Sequence, residues 1–358
     1  MGRRNGVFLT NLLRYFVFLR NFKMSIVVNL LHNCSIFKLK KLLIVKSIKF
    51  IFIPFYMKKI LIAGGTGLIG SHLSRLLKNR GYEVAHLSRR ANPTAEFPAY
   101  AWQPEAGTYD KKAFDEADAI INLAGAGIAD KLWSAKRKKE IIESRTSGNA
   151  LIANYLRSEK NKIQAYISAS AIGFYDDRGD AMMTEMATAG KGFLAESTVA
   201  WERAIAEVAA TGVRTVALRT GVVLSPEGGA LQKMLIPFNL RTGVYFGNGR
   251  QWTSWIHRDD LCNMFLWALG NPQISGTFNA VAPHPLSNYD LTAAISTAKG
   301  GGYLLVPSPA FALRLAMGEM ADVVLGSTRV SSQKVENQGF TFHFPEAVAA
   351  LKDLFSKE

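Results

Sequence analysis

Short apolar runs alternate with amphipathic stretches from residue 59 onward. Lys59–Ala63 is apolar and of strand length. Leu73, Leu76 and Leu77 then share one helical face, and that helix ends near Gly81, a natural C-cap. Strands are predicted over Glu83–Leu87 and Asp118–Leu123, and a long polar helix over about Lys131–Arg157. A strand over Ala165–Ala169, a helix over Glu196–Ala210 and a strand over Val213–Leu218 follow. Strands that alternate with helices in this way call for an α/β fold, a doubly wound parallel sheet covered on both faces. Beyond about residue 285 the pattern turns helical, with Ala310–Leu325 and Pro345–Phe355 joined by a strand-like stretch. That predicts a small C-terminal α+β lobe. No internal repeat is visible.

Composition narrows the classes. Of 358 residues, 48% are hydrophobic and 20% charged, so the chain can bury a large core and is not disordered. Cys34 and Cys262 cannot form a disulfide scaffold. With histidines scattered singly and no two ligands at coordinating spacing, no metal is expected. A reducing, cytoplasmic location is the default.

The net charge of +15 changes meaning once it is divided along the chain. Residues 1–56 carry ten Lys or Arg and no Asp or Glu, which leaves 33 basic and 28 acidic side chains for residues 57–358. The body is only mildly basic, which gives no case for nucleic acid. In residues 1–56, apolar runs such as Tyr15–Leu19 and Phe50–Tyr56 fall far short of the roughly 20 residues that span a membrane. No signal-peptide order is present. The composition also suits an organelle transit peptide or a membrane-surface segment. The simplest reading starts natural translation at Met57 and leaves residues 1–56 out of the fold.

Gly64, Gly67 and Gly70 stand at G-x-x-G-x-x-G spacing between a predicted strand and a predicted helix. The first glycine permits a tight turn, the second lets a pyrophosphate approach, and the third lets helix and strand pack closely. Thr66, Leu68 and Ile69 complete this loop, and the helix N-terminus offers N–H groups to phosphate. The next strand ends in Leu87-Ser88-Arg89-Arg90, where an NAD site usually holds an acid for the ribose 2′-hydroxyl. A hydroxyl and two guanidiniums suit a 2′-phosphate, so NADP is expected over NAD.

These features resemble the short-chain dehydrogenase/reductase superfamily in its extended, NAD-dependent epimerase/dehydratase-like branch. Ile121-Asn122-Leu123-Ala124-Gly125 resembles that branch's turn beside the cofactor, and Ser168-Ala169-Ser170-Ala171 its catalytic-serine strand end. Phe193-Leu194-Ala195, Trp201-Glu202, Arg219-Thr220-Gly221-Val222-Val223-Leu224-Ser225, Gly228-Gly229-Ala230-Leu231 and Ser254-Trp255-Ile256-His257-Arg258-Asp259-Asp260 follow in order. They are similar to an epimerase-like subfamily that ends in a small C-terminal domain of unknown function. The resemblance covers residues 57–358. It implies a Rossmann domain over 57–285 and the C-terminal domain over 304–355. It also implies NADP contacts at the glycine loop, Ser88, Arg89, Leu123, Ala124, Gly125, Glu140, Arg145 and Val223.

The superfamily usually works through Ser and a Tyr-x-x-x-Lys pair, whose phenol moves a proton while hydride passes to or from the nicotinamide. Here Phe193-Leu194-Ala195-Glu196-Ser197 occupies that place, so the standard acid–base pair is missing. Ser170 and Tyr175 are the candidate catalytic residues, with Lys191 as a candidate cation. Asp176 stands where the subfamily generally has Gly. In the His257, Asp259 and Asp260 cluster, one aspartate is expected to cap the helix over Leu261–Leu269. Trp252 and Trp255 read as core or pocket wall.

The expected function is an NADP-binding epimerase/dehydratase-like oxidoreductase acting on a small carbonyl or sugar-nucleotide-like substrate. The alternative is a non-catalytic NADP-binding sensor or regulatory protein. A monomer or homodimer is expected, without a membrane partner for residues 57–358.

Overall fold

The computed structural model describes residues 57–357. The expectations for residues 1–56, Cys34 included, lie outside the described residues.

Eight strands build the central sheet. They are β1 (Lys59–Ala63), β2 (Glu83–Ser88), β3 (Ala99–Gln103), β4 (Thr108–Tyr109), β5 (Ala119–Asn122), β6 (Ala165–Ala171), β7 (Arg214–Thr220) and β8 (Gly276–Ala280). Their spatial order is β8-β7-β6-β5-β1-β2-β3-β4. All neighbours run parallel except β4, which closes the edge antiparallel to β3. The order reverses at β1, so the crevice between the β1 and β5 ends is a topological switch point.

The principal helices are α1 (Leu68–Asn79), α2 (Lys111–Asp115), α3 (Ala135–Ser158), α4 (Gly192–Ala209), α5 (Gly229–Leu235), α6 (Arg258–Gly270), α7 (Asn288–Ala298), α8 (Ala310–Met317) and α9 (Ala347–Ser356). Strand periodicity decides which face each residue serves. Ile60 and Ile62 meet Leu73 and Leu77 of α1 and Leu261 and Phe265 of α6. Leu61 and Ala63 point the other way, toward Phe114, Ile152 and Trp201 of α2, α3 and α4. Each such fully buried Leu or Ile contributes about 1.5–3 kcal/mol.

A smaller layer packs around Trp255, Phe238, Ile295 and Leu351. Chain from both sides of α6 builds it, since Thr242–Phe246 pairs in parallel with Leu304–Ser308.

Several boundaries differ from those predicted. The helix expected from Lys131 starts at Ala135, because Ser134 accepts the Arg137 N–H and caps it. The helix expected from Glu196 begins at Gly192. The helix expected over Ala310–Leu325 breaks at Gly318, whose φ of +57° ends α8, and continues as a 3-10 turn at Gly318–Ala321 and one α-turn at Asp322–Leu325. Neither Asp259 nor Asp260 caps α6. His257 does so, its Nδ1 accepting the Asp259 N–H at 2.9 Å, with both aspartates in the first turn.

Candidate functional site

The glycine loop leaves β1 and enters α1 with backbone packed against backbone. A Cβ on Gly70 would stand 2.1 Å from the Gly64 carbonyl oxygen, and one on Gly64, at φ +77°, 2.9 Å from the Leu123 carbonyl carbon. The loop closes with Gly67 N–H donating to Gly64 O at 3.1 Å. Gly67 precedes the helix without a side-chain cap, and the first turn holds no acid. The amides of Leu68, Ile69 and Gly70, in the first turn of α1 beside the exposed Thr66, therefore have no carbonyl one turn earlier in the helix to meet them. That cradle fits the pyrophosphate of a dinucleotide.

His86, which sequence reasoning passed over, supports the loop from below. Its ring lies against Gly65, where a Cβ would come within 2.3 Å, and its Nε2 is 2.8 Å from Ser74 Oγ. Phe97 stacks on it at 5.1 Å. Burial pushes its pKa down, so the ring stays neutral beneath the loop.

At the β2 end, Ser88, Arg89 and Arg90 line a cleft of about 710 Å³ with Gln103, Pro104, Glu105 and Ala106. Both guanidiniums are exposed, and neither pairs with a carboxylate among the described residues. Leu123 and Ala124 follow β5 opposite the loop. Arg145 reaches from α3 to Gly125, where a Cβ would lie 3.2 Å from its guanidinium carbon. It donates to Ile141 O at 3.0 Å and lies 5.0 Å from the Trp201 ring centre. Burial, then the charge of Arg137, pulls its pKa down to about 10. It is a largely enclosed cation without a carboxylate partner among the described residues. Glu140 instead pairs with Arg137 at 2.8 Å and is exposed, while Val223 is half-buried against the core.

The predicted catalytic residues sit at the β6 end in a different setting. Ser170 is buried and donates from Oγ to Glu202 Oε1 at 2.7 Å. Arg219 grips the same carboxylate from Nε and Nη2, both at 2.7 Å. Its Nη1 donates to the Tyr175 hydroxyl at 2.9 Å, which itself donates to Asn279 Oδ1 at 2.7 Å. Tyr175 is 0% exposed, and burial raises its phenol pKa against the opposing pull of Arg219. The Trp201-Glu202 and Arg219 motifs were visible in the sequence. What could not be read is that α4 and β7 bring them together as a buried ion pair behind Ser170.

Phe193, where the superfamily has its tyrosine, packs edge-on against Trp133 at 4.7 Å. Ser197 donates to Leu194 O. Lys191 is exposed and precedes α4. Asp176 has a φ of +59°, the left-handed region that glycine occupies readily.

His257, Asp259 and Asp353 do converge, with possible ligand atoms within 4.8 Å of one another. The Lys357 ammonium already stands among them, 3.1 Å from Asp259 and 2.7 Å from Asp353. Asp259 also meets His72 at 3.0 Å, and these partners hold its carboxyl well below the usual range. His257 is fully buried and stacks on Phe344 at 4.0 Å. Trp255 is core and donates to His284 O, whereas half-buried Trp252 lies under Arg329. Among the described residues no helix is long and apolar enough to cross a membrane.

Comparison with known proteins agrees with this geometry. Residues 60–280 match the NAD dependent epimerase/dehydratase family, and residues 308–354 match a domain of unknown function, DUF1731. The chain is 36% identical to epimerase family protein Mb2239 of Mycobacterium bovis, over 79% of its own length and 92% of that protein's. It is 34% identical to epimerase family protein YfhF of Bacillus subtilis, over 83% and 98% of the two lengths. The crystal structure of human epimerase family protein SDR39U1 (isoform 2) with NADPH superposes with a TM-score of 0.77 at 30% identity, covering 84% of this chain and all of that one. With a doubly wound sheet, a glycine cradle at its switch point and this match across the body, the chain belongs to the NAD dependent epimerase/dehydratase family.

Proposed function

We propose that this chain binds NADPH in the crevice between the β1 and β5 ends and acts there as an oxidoreductase or epimerase-like enzyme. The observation that carries the reading is the β2 tip. Ser88, Arg89 and Arg90 end β2 with a hydroxyl and two cations where an acid would hold a ribose 2′-hydroxyl, and they open onto a cleft whose one acid, Glu105, comes from the turn after β3. The NADPH-bound human relative supports the same cofactor.

The amides of Leu68, Ile69 and Gly70 would hold the pyrophosphate, and Arg89 with Ser88 the 2′-phosphate. Arg145, short of an anion, would supply charge near Gly125, with Leu123 and Ala124 as the facing wall. When bound, the nicotinamide supplies hydride chemistry. Ser170 then stands at the reacting end with its proton committed to Glu202, so its Oγ meets a ligand through lone pairs.

Phe193, Ser197 and the enclosed Tyr175 favour a second reading, a cofactor-binding regulator without turnover. A fluorescence titration with NADPH and NADH tests the shared claim: NADPH is expected to bind at least about tenfold more tightly. NADPH consumption across a panel of carbonyl compounds then separates enzyme from regulator. No binding of either nucleotide would overturn both.

A further inference from the structure

The large apolar side chains left exposed fall in one part of the chain. Every one among the described residues follows the C-terminal end of β5, β6, β7 or β8, and none belongs to the β1–β4 half. Leu132 is 59% exposed, Ile236 65%, Phe311 75% and Leu315 88%. Helix α8, Ala-Phe-Ala-Leu-Arg-Leu-Ala-Met, has no buried residue at all. A patch of this kind marks a binding surface more often than chance.

Contacts link three of these segments. The start of α5 rests on the glycine loop, since a Cβ on Gly228 or Gly229 would touch the Leu68 side chain at 3.4 or 3.6 Å. Lys233 of α5 donates to Ala129 O at 3.0 Å, which ties α5 and the adjoining Ile236 to the loop that carries Leu132 and Trp133. Trp133 packs on Phe193. Lys138 lies over the Phe193 ring at 5.0 Å and pairs with Glu319, two residues past the end of α8. The loop of Leu132 and the α5 segment before Ile236 are thereby joined near Phe193, where the superfamily has its phenol, and the turn that follows α8 reaches the same place through Glu319.

We propose that the substrate carries an extended apolar group, such as a medium or long hydrocarbon chain, and that this rim seats it. Leu132 and Ile236 form one side, and Phe311 and Leu315 of the C-terminal lobe the other, with the reacting end directed toward Ser170. The lobe that matches a domain of unknown function thereby acquires a task, the selection of apolar substrates. The inference rests on the cofactor reading above, which fixes the reacting end of the site.

The test is calorimetric titration of the full chain with decanal and with propanal, with and without NADP⁺, so that neither aldehyde is reduced. The comparison protein is the Phe311→Ser/Leu315→Ser double variant, whose altered side chains are solvent-exposed and whose folding is checked by circular dichroism. Decanal is expected to bind at least about tenfold more tightly than propanal, and the variant to bring the two within about threefold. Equal affinity for both aldehydes in the wild type overturns the proposal, as does an undiminished preference in the variant. Sedimentation with phosphatidylcholine vesicles that only the wild type shows, with the decanal preference unchanged, assigns the patch to a membrane and also overturns it. NADPH affinity is measured on the same samples. Its absence strikes the cofactor reading, while the aldehyde preference without nucleotide still decides the rim.

Discussion

The two ends of the crevice hold similar chemical groups in opposite states. At the β1–β2 end, amides of the glycine loop, Arg89, Arg90 and Arg145 all lack an anionic partner among the described residues. At the β6–β7 end, Ser170, Glu202, Arg219, Tyr175 and Asn279 satisfy one another in a closed chain of contacts between 2.7 and 2.9 Å. Burying a charge without a partner is costly, so the enclosed Arg145 is the group of the first region that most calls for an anion, whereas the exposed Arg89 and Arg90 are held open in solvent. Groups that are closed build the wall. On the reading proposed above, the first region binds the cofactor and the second positions Ser170, whose proton is committed to Glu202.

The sharpest way to break this comparison is to cut the closed chain. Glu202→Ala leaves Arg219 as an uncompensated buried cation and is expected to cost about 3–5 kcal/mol in urea unfolding. Tyr175→Phe strands Asn279 and one Arg219 donor and should cost about 1–3 kcal/mol, with NADPH affinity unchanged. A loss of turnover in Tyr175→Phe at undiminished stability would instead return the phenol to a catalytic role. Arg89→Ala should do the reverse of both, weakening NADPH by about 10- to 100-fold while leaving the unfolding midpoint in place.

Acid provides a milder probe. Burial pushes the pKa of both His86 and His257 below the ordinary value, the nearby aspartates only partly opposing it for His257. Below about pH 6.5 the unfolded chain takes up protons that these folded imidazoles refuse. Their contribution is thus full above that pH and is lost as the pH falls. Urea midpoints should drop between about pH 7.5 and 5.5, and His86→Asn should flatten the drop. The smallest effect is expected at Asp176. Replacement by Gly relieves its φ of +59° and should raise stability by less than about 1 kcal/mol, the added unfolded-state entropy offsetting part of the gain.

The same contrast explains what the sequence made legible. Lys59–Ala63, Gly64–Gly70 and Leu73–Leu77 are contiguous, and their chemistry depends on spacing, so strand, cradle and helix face could be read directly. β3, β4 and β8 were not predicted: Ala99–Gln103 follows a loop-like stretch with Pro93 and Pro98, Thr108–Tyr109 is two residues long, and Gly276–Ala280 mixes Gly, Thr and Asn with its apolar residues. The Glu202–Arg219 pair joins residues 17 apart on a helix and a strand, and Tyr175 reaches Asn279 across 104 residues. Only the packed fold sets such distances. The His257 cap was missed because an imidazole acceptor is an uncommon cap, and Asp259 offered the more usual one.

The central claim is that the open end was built for a 2′-phosphate. Its most direct test is the difference in binding free energy between NADPH and NADH, measured by titration in the wild type and in Arg89→Ala. The account predicts a preference of at least about 1.4 kcal/mol for NADPH in the wild type, most of it lost in the variant. An NADPH preference that survives Arg89→Ala intact, or a wild type that favours NADH, would contradict it.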